Sequence, residues 1–342
     1  MEAVQAWPEA ELETLGACPA CGERARDRLY AGLADPVYSA PGLWTMWRCR
    51  GCRSLYLDPR PGQSSIGRAY ESYFTHVPAP PPASGRGGAR EGLVNGYLNH
   101  RYGYRLEPSS PAGRLLRLVP GWPARQDKMI RHLTPSGGAP RMLDVGCGNG
   151  DFVATAEGLG WRAEGVEPDR AAVDLARAAG LDVSAGTIFD VERGPGFDAI
   201  TLSHVIEHLH DPLATMERAR ELLRPGGMVW IATPNACALG HRAYGRHWFG
   251  LDPPRHLVVL SPQALEDLLR HAGFERVARL RGPSDARWLF GPSEEIAAGR
   301  KPEGMRPPRS AVGRVRARAA TLLAKASPGR AEELLVGAWT AP

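Results

Sequence analysis

A chain of 342 residues with 43% hydrophobic content is long enough for one large domain and a smaller companion, at roughly 100–200 residues per domain. Its formal net charge of +5 comes almost wholly from arginine, because Lys128, Lys301 and Lys325 are the only lysines among 42 basic residues. That bias fits a GC-rich coding sequence, so charge alone does not point to nucleic acid, and no run of about 18 apolar residues offers a transmembrane helix.

The N-terminus is acidic through Glu9, Glu11 and Glu13 and shows no basic leader followed by an apolar stretch. The expectation is no signal peptide and a cytoplasmic location, where thiols stay reduced. Cys18 and Cys21, then Cys49 and Cys52, form two Cys-x-x-Cys knuckles. Together they supply four thiolates for a closed tetrahedral Zn²⁺ site, a structural rather than a catalytic arrangement. So short a segment buries little, and metal binding would provide much of its folding free energy. Cys147 and Cys237 stand apart and read as small packing residues.

Leu55–Pro61 closes this module and an amphipathic stretch over Ser64–Phe74 predicts a short helix. The Pro/Gly-rich run that follows reads as a linker. The chain thus divides into a zinc-binding module (1–75), a linker (76–92), a helical cover of the site (93–136) and a larger domain (137–342) with an insertion at about 283–331.

From Arg141 onward, short apolar runs alternate with helical segments, the pattern of βαβ units on a parallel sheet. Strands are expected at Met142–Val145, Trp161–Val166, Asp182–Ala185, Phe197–Ser203, Met228–Thr233, Phe274–Leu280 and Glu333–Trp339. Asp211-Pro212 and Ser261-Pro262 each combine an N-cap residue with a first-turn proline and start helices. In the insertion a helix is expected over Ala311–Ala326, with Val312, Val315, Ala319, Leu322 and Leu323 as an apolar face docked on the protein or a partner subunit, a membrane surface being the alternative for a basic amphipathic helix.

Leu143-Asp144-Val145-Gly146-Cys147-Gly148-Asn149-Gly150 runs a strand into a glycine loop and then a helix, where the backbone turns sharply and a ligand approaches closely. Glu167 ends the next strand and can accept hydrogen bonds from two ribose hydroxyls. A nicotinamide-binding fold shares those features. The series Asp144-x-Gly146-x-Gly148-x-Gly150, Phe197-Asp198-Ala199-Ile200 and Leu222-Leu223-Arg224-Pro225-Gly226-Gly227 resembles instead the motifs of class I S-adenosylmethionine-dependent methyltransferases. The resemblance spans roughly Arg141–Gly282 and implies a doubly wound, Rossmann-like α/β sheet of seven strands with one antiparallel. It also implies that Asp144 and Gly146 face the methionine part of S-adenosylmethionine, that Gly148 and Gly150 allow close approach, that Glu167 holds the ribose, and that Thr187 and Ile188 lie by the adenine. Asp190 is the other adenine candidate, and Ile188 reads equally as core.

His204-Val205-Ile206-Glu207-His208 follows the fourth strand at the carboxyl end of the sheet, where open α/β folds bind ligands. His204 and His208 are the catalytic candidates, because an imidazole titrates near operating pH and can take a proton from an acceptor hydroxyl. The alternative is that Glu207 and His208 brace the cofactor pocket. The run also resembles the small-RNA 2′-O-methyltransferases, which implies a divalent metal on His204, Glu207, His208 and His256, with His204 departing from that pattern's glutamate. In the loop 247–257, Trp248 and Phe249 would stack on an acceptor ring or seal the pocket. Arg255 would pair with a substrate phosphate or carboxylate, or with a neighbouring acid.

The expected activity is methyl transfer to a small-molecule acceptor, a hydroxyl or carbon of a sugar, glycan precursor or secondary metabolite. The N-terminal ribbon resembles those of bacterial sugar-modifying methyltransferases. An RNA 2′-O-methyltransferase, with the ribbon and arginines gripping phosphate, and a non-catalytic scaffold retaining the fold are the alternatives, and a homo-oligomer stays open.

Overall fold

The computed structural model describes residues 5–71, 88–135, 137–283 and 285–342. Five strands come first: β1 (Leu12–Glu13), β2 (Arg26–Leu33), β3 (Trp44–Cys49), β4 (Leu55–Leu57) and β5 (Arg60–Pro61). A single 3-10 turn, Ile66–Tyr70, stands where the sequence predicts a helix over Ser64–Phe74; that prediction's last residues lie outside the described ones, as does most of the expected linker. Its end does not: residues 89–92 are the first turn of α1 (Ala89–Tyr102), so the helical cover begins earlier than the sequence suggests. The cover continues through a 3-10 segment, Pro111–Leu118, into α2 (Trp122–Met129).

The larger domain follows as β6 (Arg141–Val145), α3 (Asp151–Gly158), β7 (Arg162–Glu167), α4 (Arg170–Ala178), β8 (Val183–Ala185), β9 (Phe197–Ser203), α5 (Pro212–Leu222) and β10 (Leu223–Pro234). Then come α6 (Leu239–Tyr244), β11 (Val258–Val259), α7 (Pro262–His271), β12 (Arg276–Arg279), α8 (Arg287–Ala297), α9 (Ala311–Ala326) and β13 (Glu333–Trp339). The helix starts follow the expected chemistry. The Asp211 carboxylate accepts from the Ala214 N–H at 2.9 Å and the Ser261 hydroxyl from the Ala264 N–H at 3.1 Å, each cap preceding a proline.

Seven strands form the central sheet in the order β12-β13-β10-β9-β6-β7-β8. β13 runs antiparallel to both its neighbours, whereas β10, β9, β6, β7 and β8 are mutually parallel. Side chains alternate across it as a pleated strand requires. Val229 and Ile231 of β10 join the face covered by α5 and α7, while Met228, Trp230 and Ala232 join the face covered by α3, α4 and α1. Chain order reverses between β6 and β9, and the crevice at their carboxyl ends is the expected ligand position.

The N-terminal strands share structure with this domain. β11, from the larger domain, extends their sheet to the order β11-β4-β3-β2. Cys18, Cys49 and Tyr56 pack in the same cluster as the inner face of α7. A fully buried guanidinium, Arg255, joins Asp35 of the N-terminal segment at 2.8 Å to Asp252 of the larger domain at 2.6 Å.

In the insertion, α9 occupies the predicted range but presents the opposite face. Gly313, Ala317, Ala320 and Ala324 are buried, whereas Val312, Val315, Leu322 and Leu323 are exposed. Small residues allow close approach to α8, which explains the inversion: a Cβ on Gly313 would lie 2.4 Å from the Glu294 carboxylate.

Candidate active site

Four cysteine sulfurs meet in the N-terminal module. Cys18 Sγ lies 3.7 Å from Cys52 Sγ and Cys21 Sγ 3.6 Å from Cys49 Sγ. Those spacings are too long for disulfides and match the edge of about 3.8 Å expected for a tetrahedron of Zn–S bonds. The donor set fits a structural Zn²⁺, with all four ligands supplied and no position left for a substrate.

The glycine loop leaves β6 with Gly146, Gly148 and Gly150 all at positive φ. At Gly146 and Gly150 a Cβ would also strike Val205 and Leu181, at 2.6 and 2.5 Å, so these positions demand glycine twice over. Glu167, at the end of β7, is buried and uses one oxygen on the Gly148 N–H (2.9 Å) and the other on the Asp169 N–H (3.0 Å). Burial raises its pKa against the pull of those two backbone donors. A buried carboxylate with spare lone pairs beside a glycine cradle fits a vicinal diol, the ribose of S-adenosylmethionine.

Asp144 is held differently. Its carboxylate accepts from the Arg131 guanidinium, and from the Thr201 hydroxyl at 2.8 Å. Arg131 follows α2 in a left-handed conformation and lies over the Phe152 ring at 3.6 Å. The helical cover thus delivers a cation to the glycine loop, a contact that only the tertiary fold creates. Thr187 caps the turn Ile188–Asp190, accepting from Phe189 N–H and donating to Asp190, while the Ile188 side chain is buried in the core. Between Ile188 and Asp190, Phe189 is 55% exposed and offers the only free ring surface in that turn.

The histidine run leaves β9 with His204 at φ +55°. Its Nδ1 lies 3.2 Å from Glu207 Oε1 and its Nε2 2.8 Å from Glu333 Oε1, and Glu333 in turn binds Lys128 Nζ at 2.6 Å. Packing around the ring opposes a charge, although its side chain is half exposed, and the two carboxylates outweigh that and push the His204 pKa up to about 10. His204 thus bridges two carboxylates, Glu207 and Glu333, an arrangement that favours its imidazolium form. Glu207 is fully buried, and its second oxygen accepts from the Thr233 hydroxyl at 2.9 Å. Burial would raise its pKa, yet His204 and the neighbouring histidines bring it down to about 2.

His208 and His256 complete the cluster, with ring centroids 4.8 Å apart. His208 Nδ1 lies 3.0 Å from the Arg255 carbonyl and 2.9 Å from the Tyr70 hydroxyl; His256 Nδ1 lies 2.9 Å from the Gly250 carbonyl. A carbonyl only accepts, so both rings carry their proton on Nδ1, which leaves Nε2 as the unprotonated nitrogen. Burial, then the neighbouring His256, lowers the His208 pKa to about 4. One ligand atom from each of Glu207, His208 and His256 falls within 4.8 Å of the others, whereas His204 stands outside this group.

Sequence reasoning brings together the glycine loop, Glu167, Glu207, His208 and His256, but misses Tyr70, Arg131, Lys128 and Glu333, none of which sits in a motif. Arg255 takes the neighbouring-acid alternative, and buried Trp248 seals rather than stacks, its indole N–H donating to Glu332 at 3.0 Å.

Comparison with known proteins follows the same lines. The ubiquinone biosynthesis O-methyltransferase of Cereibacter sphaeroides is 32% identical over 152 residues, covering 41% of this chain and 62% of that enzyme. The enzyme of that name from Rhizobium etli is 27% identical over 211 residues, 55% of this chain and 85% of its own. A SAM-dependent methyltransferase structure from Archaeoglobus fulgidus aligns with 71% of this chain and 98% of that one at 17% identity and a TM-score of 0.43. The methyltransferase-domain family matches residues 108–279, half of the chain, and with the sheet order and glycine loop in place the protein belongs to that family, whose cofactor is S-adenosylmethionine.

Proposed function

We propose that the chain is an O-methyltransferase that methylates a hydroxyl of a small-molecule acceptor, a sugar, glycan precursor or secondary metabolite. The observation that carries this reading is the contact of His208 Nδ1 with the Arg255 carbonyl, which leaves Nε2 free to accept a proton, in a run beyond the carboxyl end of β9 whose Val205 packs on Gly146 of the glycine loop. Similarity to enzymes named for O-methylation supports oxygen as the methylated atom.

The bound cofactor supplies an electrophilic sulfonium methyl group. Glu167 and the glycine loop would hold its ribose and so position the methyl group against an acceptor oxygen placed in the crevice. His208 Nε2 would take the proton that the acceptor hydroxyl gives up as its oxygen is methylated. Tyr70 and the Arg255 carbonyl hold that ring in the required tautomer, and His204 keeps Glu207 ionised beside it.

A second reading is favoured by the same two Nδ1–H contacts. Metal-ligating histidines orient their free nitrogen in this way, and two imidazoles with one carboxylate form a facial set for a divalent cation. Single-turnover transfer by His208→Asn decides whether the residue matters: we expect a fall of roughly 10²–10⁴-fold with cofactor affinity unchanged. An unchanged rate would remove His208 from the mechanism. Activity lost in EDTA with zinc still bound, and restored by Mn²⁺, would give the site to a cation.

A further inference from the structure

The insertion contains a helix whose apolar side has no partner among the described residues. Seen down α9, the exposed Val312, Val315, Ala319, Leu322 and Leu323 fall within an arc of about 100°. Arg314, Arg318 and Lys325 border one edge of that arc and Arg316 the other. The helix is anchored by its opposite face. Ala317 and Ala320 pack on Phe290 and Ala286, Ser310 caps the first turn, and Thr321 accepts from the Ala286 N–H. The outward stripe therefore follows from the packing and is not a consequence of a loose segment.

Charge says what covers it. From Gly304 to Ala331 the chain carries seven basic residues and no acid. Arg306 and Arg309 are committed to Glu295 and Glu303, whereas Arg314, Arg316, Arg318 and Lys325 form no ion pair among the described residues. Aliphatic side chains flanked on both edges by unpaired cations are the pattern of a helix lying in a membrane interface. The apolar arc enters the acyl boundary while the long basic side chains reach up to headgroup phosphates. At about 1.5 Å per residue the 16 residues of α9 present a strip about 24 Å long. A basic protein partner is excluded as complement, and an acidic protein surface would leave the apolar arc unmatched unless it carried its own groove.

We propose that α9 docks the protein on an anionic lipid surface, with Leu322 and Leu323 inserted and Arg314, Arg318, Lys325 and Arg316 on the headgroups. The helix contributes nothing to the cofactor loop, so this binding needs neither cofactor nor catalysis.

The test is co-sedimentation of the full-length, zinc-loaded protein with phosphatidylcholine vesicles that contain or lack phosphatidylglycerol, with light scattering in parallel. Binding at least tenfold tighter to the anionic vesicles is expected, weakening steeply with salt. Leu322→Gln/Leu323→Gln should reduce it about tenfold or more, and Arg314→Gln/Arg318→Gln/Lys325→Gln should abolish the preference for anionic lipid. Both variants change exposed positions, and unchanged thermal unfolding and S-adenosylhomocysteine affinity show that each remains folded. Equal affinity for the two vesicle types, or anionic binding unaffected by either variant, would overturn the proposal. So would a dimer in solution that dissociates on Leu322→Gln/Leu323→Gln, because the face would then belong to a second copy.

Discussion

Arg255 is where the N-terminal segment and the loop 247–257 share a single charge, and its removal gives the sharpest stability prediction. Its side chain is 0% exposed, and its guanidinium meets Asp35, also 0% exposed, and Asp252, 9% exposed. Asp35 additionally caps the backbone N–H groups of Val37, Tyr38 and Ala40. Arg255→Met preserves much of the volume but strands two buried carboxylates. Breaking a buried pair in this way costs about 3–5 kcal/mol, because the remaining charge stays out of water. In a chain of this size that corresponds to a fall in Tm of roughly 4–7 °C. Denaturant unfolding followed by circular dichroism measures the loss. Adding Asp35→Asn to Arg255→Met should recover part of it, since one stranded charge disappears. A loss below about 1 kcal/mol, or a double variant no better than the single one, would refute the reasoning that this ion pair closes the interface.

Two further perturbations follow from buried groups. Removing Zn²⁺ with a chelator should loosen more than the ribbon, because Cys18 and Cys49 belong to the same core as α7; hydrogen exchange should rise in β2, β3, β4 and β11, and a loss of protection confined to the knuckles would contradict the shared core. Glu332 accepts from the Gly240 N–H and the Trp248 indole, yet its burial outweighs them and lifts its pKa to about 7. An acid whose folded pKa is raised stabilises fully below its unfolded pKa, near 4.5, and that contribution is lost as pH rises through about 7. Stability should therefore decline over that window in the wild type by up to about 3 kcal/mol, and Glu332→Gln should flatten the profile while adding a constant loss, since its amide N–H₂ meets one of the two donors. A profile of unchanged slope would show that Glu332 ionises freely.

The sheet was readable from sequence because its strands are buried apolar runs bounded by caps and glycines. Phe197–Ser203 and Glu333–Trp339 are found at their predicted limits. What escaped has physical reasons. β11 is two residues long and exists only because β4 lies beside it. α8 carries Gly291 and Pro292 in its interior and gives no periodic helix signal. The face of α9 was inverted because hydrophobic patterning counts large residues as inward, whereas this helix buries glycine and alanine for close approach. In the site, Glu167 and the glycine loop announce themselves through spacing. Tyr70, Arg131 and Glu333 matter through partners 138, 13 and 129 positions away in the chain, which no local pattern encodes.

The central claim is that the glycine loop and Glu167 form a working cofactor site. Calorimetric titration of the zinc-loaded protein with S-adenosylmethionine and S-adenosylhomocysteine, repeated on Glu167→Ala, tests it most directly. Two hydrogen bonds from the ribose to a carboxylate are worth about 1.5–3 kcal/mol each, so micromolar binding should weaken by at least 100-fold in the variant. No binding by the wild-type protein, or equal binding by Glu167→Ala, would contradict the account.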